Sequence, residues 1–465
     1  MKWSETPDLP GSGNLFGAMR NAKTVDAVNV NTGNIGNAFA GAAKVLTATY
    51  THDYQMHGPI GPSAAVAQVS STSALVMCNT QGVHRLRGTL ATLLGMPETS
   101  IRVQYVEGAS AFGHCTSDDA AHAAALTSQL TGGKPVRLQF MRWDDNGWDP
   151  YGPGELDDVR GAIDANGKIV AIDFTATLQP LTNSNNAFET TYEMAGGGTV
   201  KTGTGGANTS ITNGPQYVIP NRRVTSKSIP FGSAPLLKTA QLRAPGDIQA
   251  TFAFEQMVDE LAHAANMDPV AFRLAQMNDP RWTEILNQTA KVAAWQPKIA
   301  ASKLTDANVV SGRGVALAPR SGSLSAVIAD VEVNKKTGKI LVKHMYASQD
   351  AGLTISPSLA ENQMTGGVIQ SVSRALHEQI SFTKTRVTSV DWVTYPLLRF
   401  KEHPAVTTIV VQRTDQIPGG GGEPPAVPTA AAIANAFFDA TGVRIRQAPM
   451  TPARVRAVLK AAGVA

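Results

Sequence analysis

The sequence has very few cysteines. Its 465 residues include only two, Cys78 and Cys115. An iron–sulfur cluster is normally held by four cysteine thiolates, and zinc sites rich in cysteine need a similar number. This chain therefore cannot supply the ligands of such a centre, and any iron–sulfur cluster that works with it must lie on a partner.

Long apolar runs and dense runs of charge are also missing. No stretch of 18 apolar residues occurs, and residues 1–14 lack the apolar segment of an export signal, so we expect neither a membrane span nor an export signal. Charged residues make up 16% of the chain and the net charge is +4. Nothing here indicates nucleic acid as a partner, and the weakly charged, polar composition favours a periplasmic or exported protein.

Several common catalytic motifs are absent as well. The sequence contains no Gly-x-Ser-x-Gly elbow, no His-Glu-x-x-His motif and no Gly-Lys-Ser/Thr phosphate loop. A cofactor-free hydrolase that uses a lone carboxylate stays open as an alternative function, but these absences weaken it.

The most informative stretch that is present is Gly419–Pro425, which reads Gly-Gly-Gly-Gly-Glu-Pro-Pro. The glycines allow the backbone to approach a bulky ligand, and the prolines stiffen the chain before a helix rich in alanine. Glu423 is thereby presented at the start of a helix, where a charged carboxylate can act as a general base. The alternative is a flexible loop with a solvated glutamate.

Four other polar positions lie where a ligand could bind. Gln81 stands between a strand and the predicted helix Val83–Leu94, and the small-residue loop Gly108–His114 leads into another helix, where backbone N–H groups can bind an anion. Arg243 lies in a tight turn before a long helix, and Gln363 lies on a helix beside two glycines. The alternatives are a packing turn for the loop, a surface ion pair for Arg243 and a hydrogen bond to a loop for Gln363.

Strands and helices alternate in both halves, which predicts an α+β fold. Hairpins are expected over residues 157–177 and at the turn Lys336–Gly338, between strands 325–333 and 339–348. We predict one domain over residues 1–300 and a second over residues 301–465. Residues 1–35, which are rich in turn formers, are predicted to form an extended arm, and residues 196–214 a surface excursion.

Five motifs occur in the order found in the molybdopterin-binding subunit of the xanthine oxidase family, which this chain resembles from about residue 2 to its end. The branch with the greatest similarity contains isoquinoline oxidoreductases and membrane-associated aldehyde dehydrogenases. The motifs are TQGVHRLRGTLATLLGMP (80–97), a loop ending in Phe112-Gly113, QLRAPGDIQATFAFEQMVDELA (241–262), TGKILVKHMYASQDAGLTISPSLAENQMTGGVIQ (337–370), and YPLLRF (395–400) followed by GGGGEPPAVPTAAAIANAFFDATG (419–442).

The resemblance implies two molybdopterin-binding domains with the cofactor between them. The cofactor would be molybdenum–molybdopterin, in the cytosine dinucleotide form, with molybdenum held by the pterin and by no protein side chain. Glu423 would be the general base, and Arg243 would stabilise negative charge that develops on the substrate. The cofactor-binding residues implied by the family are Gln81, Ala111, Phe112, Gly113, Arg243, Gln363, Gly421 and Gly422.

Two departures from the family pattern bear on function. The family loop usually reads Gly-Gly-Gly-Phe-Gly, but Ser110 and Ala111 precede Phe112 here, and Thr116 stands where xanthine dehydrogenases have a glutamate. Purine substrates are therefore disfavoured, and oxidation of an aldehyde to a carboxylic acid with water as the oxygen source is expected. Hydroxylation of an N-heteroaromatic compound and an inactive paralogue are the alternatives. The chain also begins well inside full-length members, which implies a missing N-terminal portion.

The resemblance further implies partners. These are a small subunit with two [2Fe-2S] clusters, a chain or fragment that supplies the N-terminal portion, and a membrane-anchored cytochrome c. It implies a periplasmic location at the cytoplasmic membrane, with the cytoplasm as the alternative.

Overall fold

The computed structural model describes residues 6–114, 118–181, 216–298 and 308–464. The strands are β1 (Val25–Thr32), β2 (Lys44–His52), β3 (Ala64–Val69), β4 (Ala74–Cys78), β5 (Ile101–Tyr105), β6 (Val136–Gln139), β7 (Glu155–Ile163), β8 (Ile169–Leu178), β9 (Asn221–Ser228), β10 (Val309–Arg320), β11 (Ser323–Asn334), β12 (Lys339–Asp350), β13 (Ala405–Val411) and β14 (Gln447–Ala448). The α-helices are α1 (Leu15–Asn21), α2 (Ile35–Ala40), α3 (Val83–Leu94), α4 (Asp119–Leu130), α5 (Arg142–Trp148), α6 (Asp247–Ala264), α7 (Pro269–Ala275), α8 (Pro280–Val292), α9 (Pro357–Leu376), α10 (Ala426–Thr441) and α11 (Pro452–Ala461).

The strands form three sheets. The first has the order β1-β9-β8-β7-β2-β14, so that β14, from the C-terminal end of the chain, pairs with β2 near its beginning. The second sheet, β5-β4-β3-β6, packs against α3 and α4, and the third, β10-β11-β12-β13, packs against α10 and α8. Together the sheets and helices make the predicted α+β fold.

Two central helices bring the halves of the chain together. Helix α6 is buried along almost its whole length, and it packs against β2 and β7 of the first sheet and against α10. Helix α10 crosses β10 so closely that a Cβ added at Gly314 would lie 2.2 Å from the backbone nitrogen of Ala436. Because Arg243 and Glu423 lie in the loops just before α6 and α10, the packing of these two helices places the two loops side by side.

Several sequence predictions are confirmed. Helix α3 has the predicted bounds and ends at Gly95 in the left-handed conformation, and both hairpins, β7–β8 and β11–β12, form antiparallel pairs. Local periodicity and turn residues were sufficient for these elements. Among the described residues, no helix combines the length and apolar character needed to cross a bilayer.

The prediction of an extended arm over residues 1–35 is wrong for residues 15–32. Residues 15–21 form α1, and β1 is the edge strand of the first sheet, antiparallel to β9. The partner strand lies almost 200 residues away, so no local pattern could reveal this pairing. The predicted excursion at residues 196–214 and the predicted domain boundary at residue 300 both lie outside the described residues.

Candidate active site

A cleft of about 470 Å³ lies where the loops before α3, α6 and α10 meet. This volume is in the range of small-molecule sites, about 300–1,000 Å³. Seven of the residues predicted from the sequence line it, namely Gln81, Phe112, Gly113, Arg243, Gln363, Gly422 and Glu423. Ala111 and Gly421 adjoin lining residues but are not part of the lining. The lining also includes four residues that were not predicted: Gln241, Leu242, Pro245 and Arg320.

Glu423 is held in place at both carboxylate oxygens. Oε1 accepts a hydrogen bond of 2.8 Å from the backbone N–H of Ala244, and Oε2 accepts one of 2.6 Å from Nε of Arg320. The side chain keeps 28% of its surface exposed. The alternative of a freely solvated glutamate is therefore wrong, because the carboxylate is oriented by two partners from other loops.

Arg320 is the main site residue that the sequence analysis missed. It ends β10 and also contacts Asp247, the first residue of α6, with 2.8 Å between Nη1 and Oδ2. The Asp247 side chain is fully buried, whereas Arg320 keeps 21% of its side chain exposed. The only local signal was an arginine at the end of a strand before a Ser-Gly turn, which is also typical of surface positions.

Arg320→Met is expected to lower the free energy of unfolding by about 2–4 kcal/mol. Breaking a fully buried ion pair costs about 3–5 kcal/mol, and the loss is smaller here because Arg320 is partly exposed. The cause is that the buried carboxylate of Asp247 loses the guanidinium of Arg320. A second change, Asp247→Asn, should recover part of this loss, since it removes the buried charge. Urea unfolding of the two single variants and the double variant measures the coupling.

Arg413→Met is a suitable control. Arg413 binds the fully buried Asp350, but Asp350 also binds Arg281, at 2.6 Å, and so keeps a guanidinium partner in this variant. We expect this change to cost clearly less than Arg320→Met. Equal losses, or purely additive effects in the double variant, would contradict the role given to the pair of Arg320 and Asp247.

Arg243 connects three segments of the site. Its backbone N–H donates to the carbonyl of Phe112 at 2.9 Å, while the guanidinium donates to the carbonyl of Gly422 and to the side chains of Gln363 and Gln370, at 3.1–3.2 Å. These acceptors are all neutral, so the predicted alternative of a surface ion pair does not describe this residue. Burial lowers the pKa of Arg243 from its ordinary value. Arg243 holds the loops around Phe112 and Glu423 together.

The loop at Phe112 and Gly113 is tightly built. Gly113 has φ +107°, and a Cβ at this position would lie 2.0 Å from the carbonyl oxygen of Gln241. Its N–H donates to Oε1 of Gln81 at 3.2 Å. A ligand that binds to this N–H must therefore share it with Gln81.

The polar groups around the cleft suit a cofactor rich in hydrogen-bonding groups. The guanidinium groups of Arg243 and Arg320 and the amides of Gln81 and Gln363 line the same space as Glu423, whose carboxylate is the only one in the lining among the described residues. Guanidinium groups and side-chain amides are suited to phosphate and pterin groups. The roles of the individual residues toward such a cofactor stay predictions.

Comparisons with known proteins identify families that match most of the chain. The family described as "Molybdopterin cofactor-binding domain" matches residues 19–277, and a second family of the same description matches residues 250–404. The two matched regions together contain every cleft residue except Gly422 and Glu423.

The curated relatives that this chain resembles are named as dehydrogenases or oxidoreductases. A nicotinate dehydrogenase subunit of Pseudomonas putida is 35% identical over 98% of this chain and 38% of its own length. The beta subunit of isoquinoline 1-oxidoreductase of Brevundimonas diminuta is 27% identical over 86% of this chain and 49% of its own length. Membrane-bound aldehyde dehydrogenase of Gluconacetobacter polyoxogenes is 26% identical over 91% of this chain and 56% of its own length. The chain thus spans from about two fifths to just over half of these relatives.

Solved structures share the fold. Quinoline 2-oxidoreductase from Pseudomonas putida 86 superposes with a TM-score of 0.81 over 99% of this chain and 82% of that chain, at 13% identity. Aldehyde oxidoreductase from Desulfovibrio gigas superposes with a TM-score of 0.78 over 94% of this chain and 63% of that chain, at 17% identity.

Proposed function

This chain belongs to the molybdopterin-binding part of the xanthine oxidase family, and from that premise we propose that it carries the active site of a molybdenum hydroxylase that takes its oxygen from water. The observation that carries the proposal is the meeting of Glu423, Arg243 and Arg320 in one cleft of cofactor size. The cofactor, when bound, supplies the two-electron redox chemistry that these side chains cannot perform themselves.

Glu423 is the general base of the proposed reaction, and the geometry favours one of its two oxygens as the proton acceptor. Oε2 is paired with the Arg320 cation, whereas Oε1 accepts only the neutral N–H of Ala244 among the described residues. A proton is therefore accepted more readily at Oε1, which has the weaker positive partner. Arg320 meanwhile keeps the carboxylate oriented.

In this proposal, Arg243 positions the loops of the active site. Its guanidinium donors are used by Gly422, Gln363 and Gln370, so it fixes the loop that carries Glu423 against the loop that carries Phe112. A role in stabilising charge on the substrate requires at least one of these hydrogen bonds to be exchanged during the reaction.

For the substrate, we propose an N-heteroaromatic compound, and the aldehyde that was expected first from the sequence becomes the second candidate. The first is supported by the relative named nicotinate dehydrogenase, the most similar of the three over nearly the whole chain. The second is supported by the relative named aldehyde dehydrogenase.

We further propose that the enzyme is a complex. A small subunit with two [2Fe-2S] clusters would accept the electrons, since this chain has only two cysteines. A membrane-anchored cytochrome c would follow in a periplasmic complex. The cytosine dinucleotide form of the cofactor belongs to the same proposal.

The proposed function is tested on the purified complex. We expect stoichiometric molybdenum and the reduction of a dye acceptor when nicotinate or isoquinoline is added, with ¹⁸O from labelled water appearing in the product. Turnover of aldehydes alone would make the second substrate class correct. Absence of molybdenum from a folded complex would overturn the proposal.

A further inference from the structure

A cluster of possible metal ligands lies next to residues of the cleft wall. His57, His114 and Asp149 are brought together from three segments, and one ligand atom from each lies within 4.8 Å of the others. The side chains are 0%, 8% and 6% exposed, respectively. Two imidazoles and a carboxylate that are this deeply buried need a cation to balance them.

The hydrogen bond at Nε2 of His57 determines the protonation of its Nδ1. Nε2 lies 2.7 Å from the carbonyl oxygen of Gln241, which can only accept, so Nε2 must carry a proton. In a neutral imidazole, Nδ1 then presents a lone pair, and it faces Oδ2 of Asp149 at 2.7 Å. Two lone pairs at this distance repel unless a cation lies with them, and this cation is either an additional proton or a metal ion.

The surroundings of His114 bear on the choice between these two cations. Its Nδ1 lies 2.9 Å from Oδ1 of Asp149, but the two atoms are not aligned as a hydrogen bond, and neither has a hydrogen-bond partner among the described residues. Its Nε2 contacts the hydroxyl of Ser63. A ring nitrogen and a carboxylate oxygen in this arrangement suit a common metal ion, and outer hydrogen bonds at Nε2 are typical of metal-bound histidine. The competing occupant is a proton: burial lowers the pKa of His114, but the nearby carboxylates of Asp149 and Asp145 raise it to about 9 overall.

We propose that His57, His114 and Asp149 form a buried divalent-cation site, separate from the molybdopterin cleft, and that Zn²⁺ is the ion. Zn²⁺ prefers imidazole and carboxylate ligands in a tetrahedral arrangement, with water able to complete the set. Tetrahedral ligands at about 2.0–2.1 Å from the ion lie roughly 3.3 Å apart. Each histidine nitrogen, now 2.7 or 2.9 Å from its oxygen of Asp149, must therefore move away from that oxygen by about 0.5 Å when the ion binds. Asp145, 3.8 Å from His114, adds negative charge that favours the ion.

The site ties together two segments of the cleft wall. His114 directly follows Gly113, and His57 holds the carbonyl of Gln241, while both Gly113 and Gln241 line the cleft. The ion is therefore structural, and it stabilises the wall against which the cofactor would bind. It does not depend on the proposed function, because it needs neither molybdenum nor substrate.

The experiment measures zinc by mass spectrometry in the complex purified without chelators. We expect near-stoichiometric zinc in the wild type and at least about a ten-fold lower content in Asp149→Asn and His57→Gln. His122→Gln is the matched control, because His122 is also fully buried, contacts Thr89 and the backbone of Asp118, and is not a member of the cluster. This variant should keep its zinc.

Titration of the zinc-stripped wild-type complex with Co²⁺ gives a readout that needs no variant. Tetrahedral Co²⁺ with nitrogen and oxygen ligands should give visible absorption bands that Zn²⁺ abolishes. A wild type that contains no zinc and shows no such bands would overturn the site and leave a His–Asp–His network held by protons. Full zinc retention in Asp149→Asn would also overturn it, because the ion would then lie elsewhere.

Discussion

Glu423→Gln is expected to reduce turnover at least about 100-fold, the low end of the contribution of a general base, without loss of molybdenum. Glutamine keeps the size of the side chain, and its carbonyl can still accept from Ala244 or Arg320, but it cannot take up a proton. The cleft should therefore keep its shape while the proposed base is removed. Single-turnover reduction by substrate, measured on preparations with known molybdenum content, tests this expectation.

Glu284→Gln is the matched control for this change. Glu284 also pairs with an arginine, Arg413 at 2.6 Å, but it lies on α8 and is not part of the cleft lining. We expect wild-type turnover in this variant. Near wild-type turnover of Glu423→Gln with full molybdenum loading would show that Glu423 is not the base.

Gly113→Ala is expected to disrupt the cleft itself. The added Cβ would lie 2.0 Å from the carbonyl oxygen of Gln241, and the backbone conformation, with φ +107°, is strained for alanine. Strain of about 1–2 kcal/mol and overpacking of about 1–3 kcal/mol together predict a loss of about 2–5 kcal/mol in the free energy of unfolding. Because the two cleft segments are forced apart, the molybdenum content should fall with the stability.

Gly132→Ala separates the effect of backbone strain from the effect of the steric clash. Gly132 also has a positive φ, +76°, but a Cβ there meets no atom within 4 Å. This variant should lose only about 1–2 kcal/mol, the strain alone, and keep its molybdenum. Equal molybdenum content in both variants would show that the close approach of Gly113 to Gln241 does not matter for the cofactor.

The sequence identified the segments that surround the cleft because each has a local signature. Glycines and prolines flank Glu423, Gln81 lies between a strand and a helix, and Arg243 lies in a tight turn before a long helix. The same local rules predicted α3 and the two hairpins. They misjudged residues 15–32, where the edge strand of a sheet has no pattern of its own without its partner.

Partners within the cleft could not be predicted in this way. The contact between Glu423 and Arg320 joins residues 103 positions apart, and the contact with Ala244 spans 179 positions. Neither partner carries a local feature that distinguishes it from a surface residue, and each becomes a partner of Glu423 only because α6 and α10 pack against each other.

The sequence by itself thus determined the family, the kind of fold and the loop that presents Glu423, because periodicity, turn residues and ordered motifs are properties of neighbouring residues. Only the tertiary structure decided that Arg320 pairs with Glu423 and the buried Asp247, and that His57, His114 and Asp149 share one buried site. These arrangements depend on which distant segments pack together, and the free energy of that packing is distributed over the whole core.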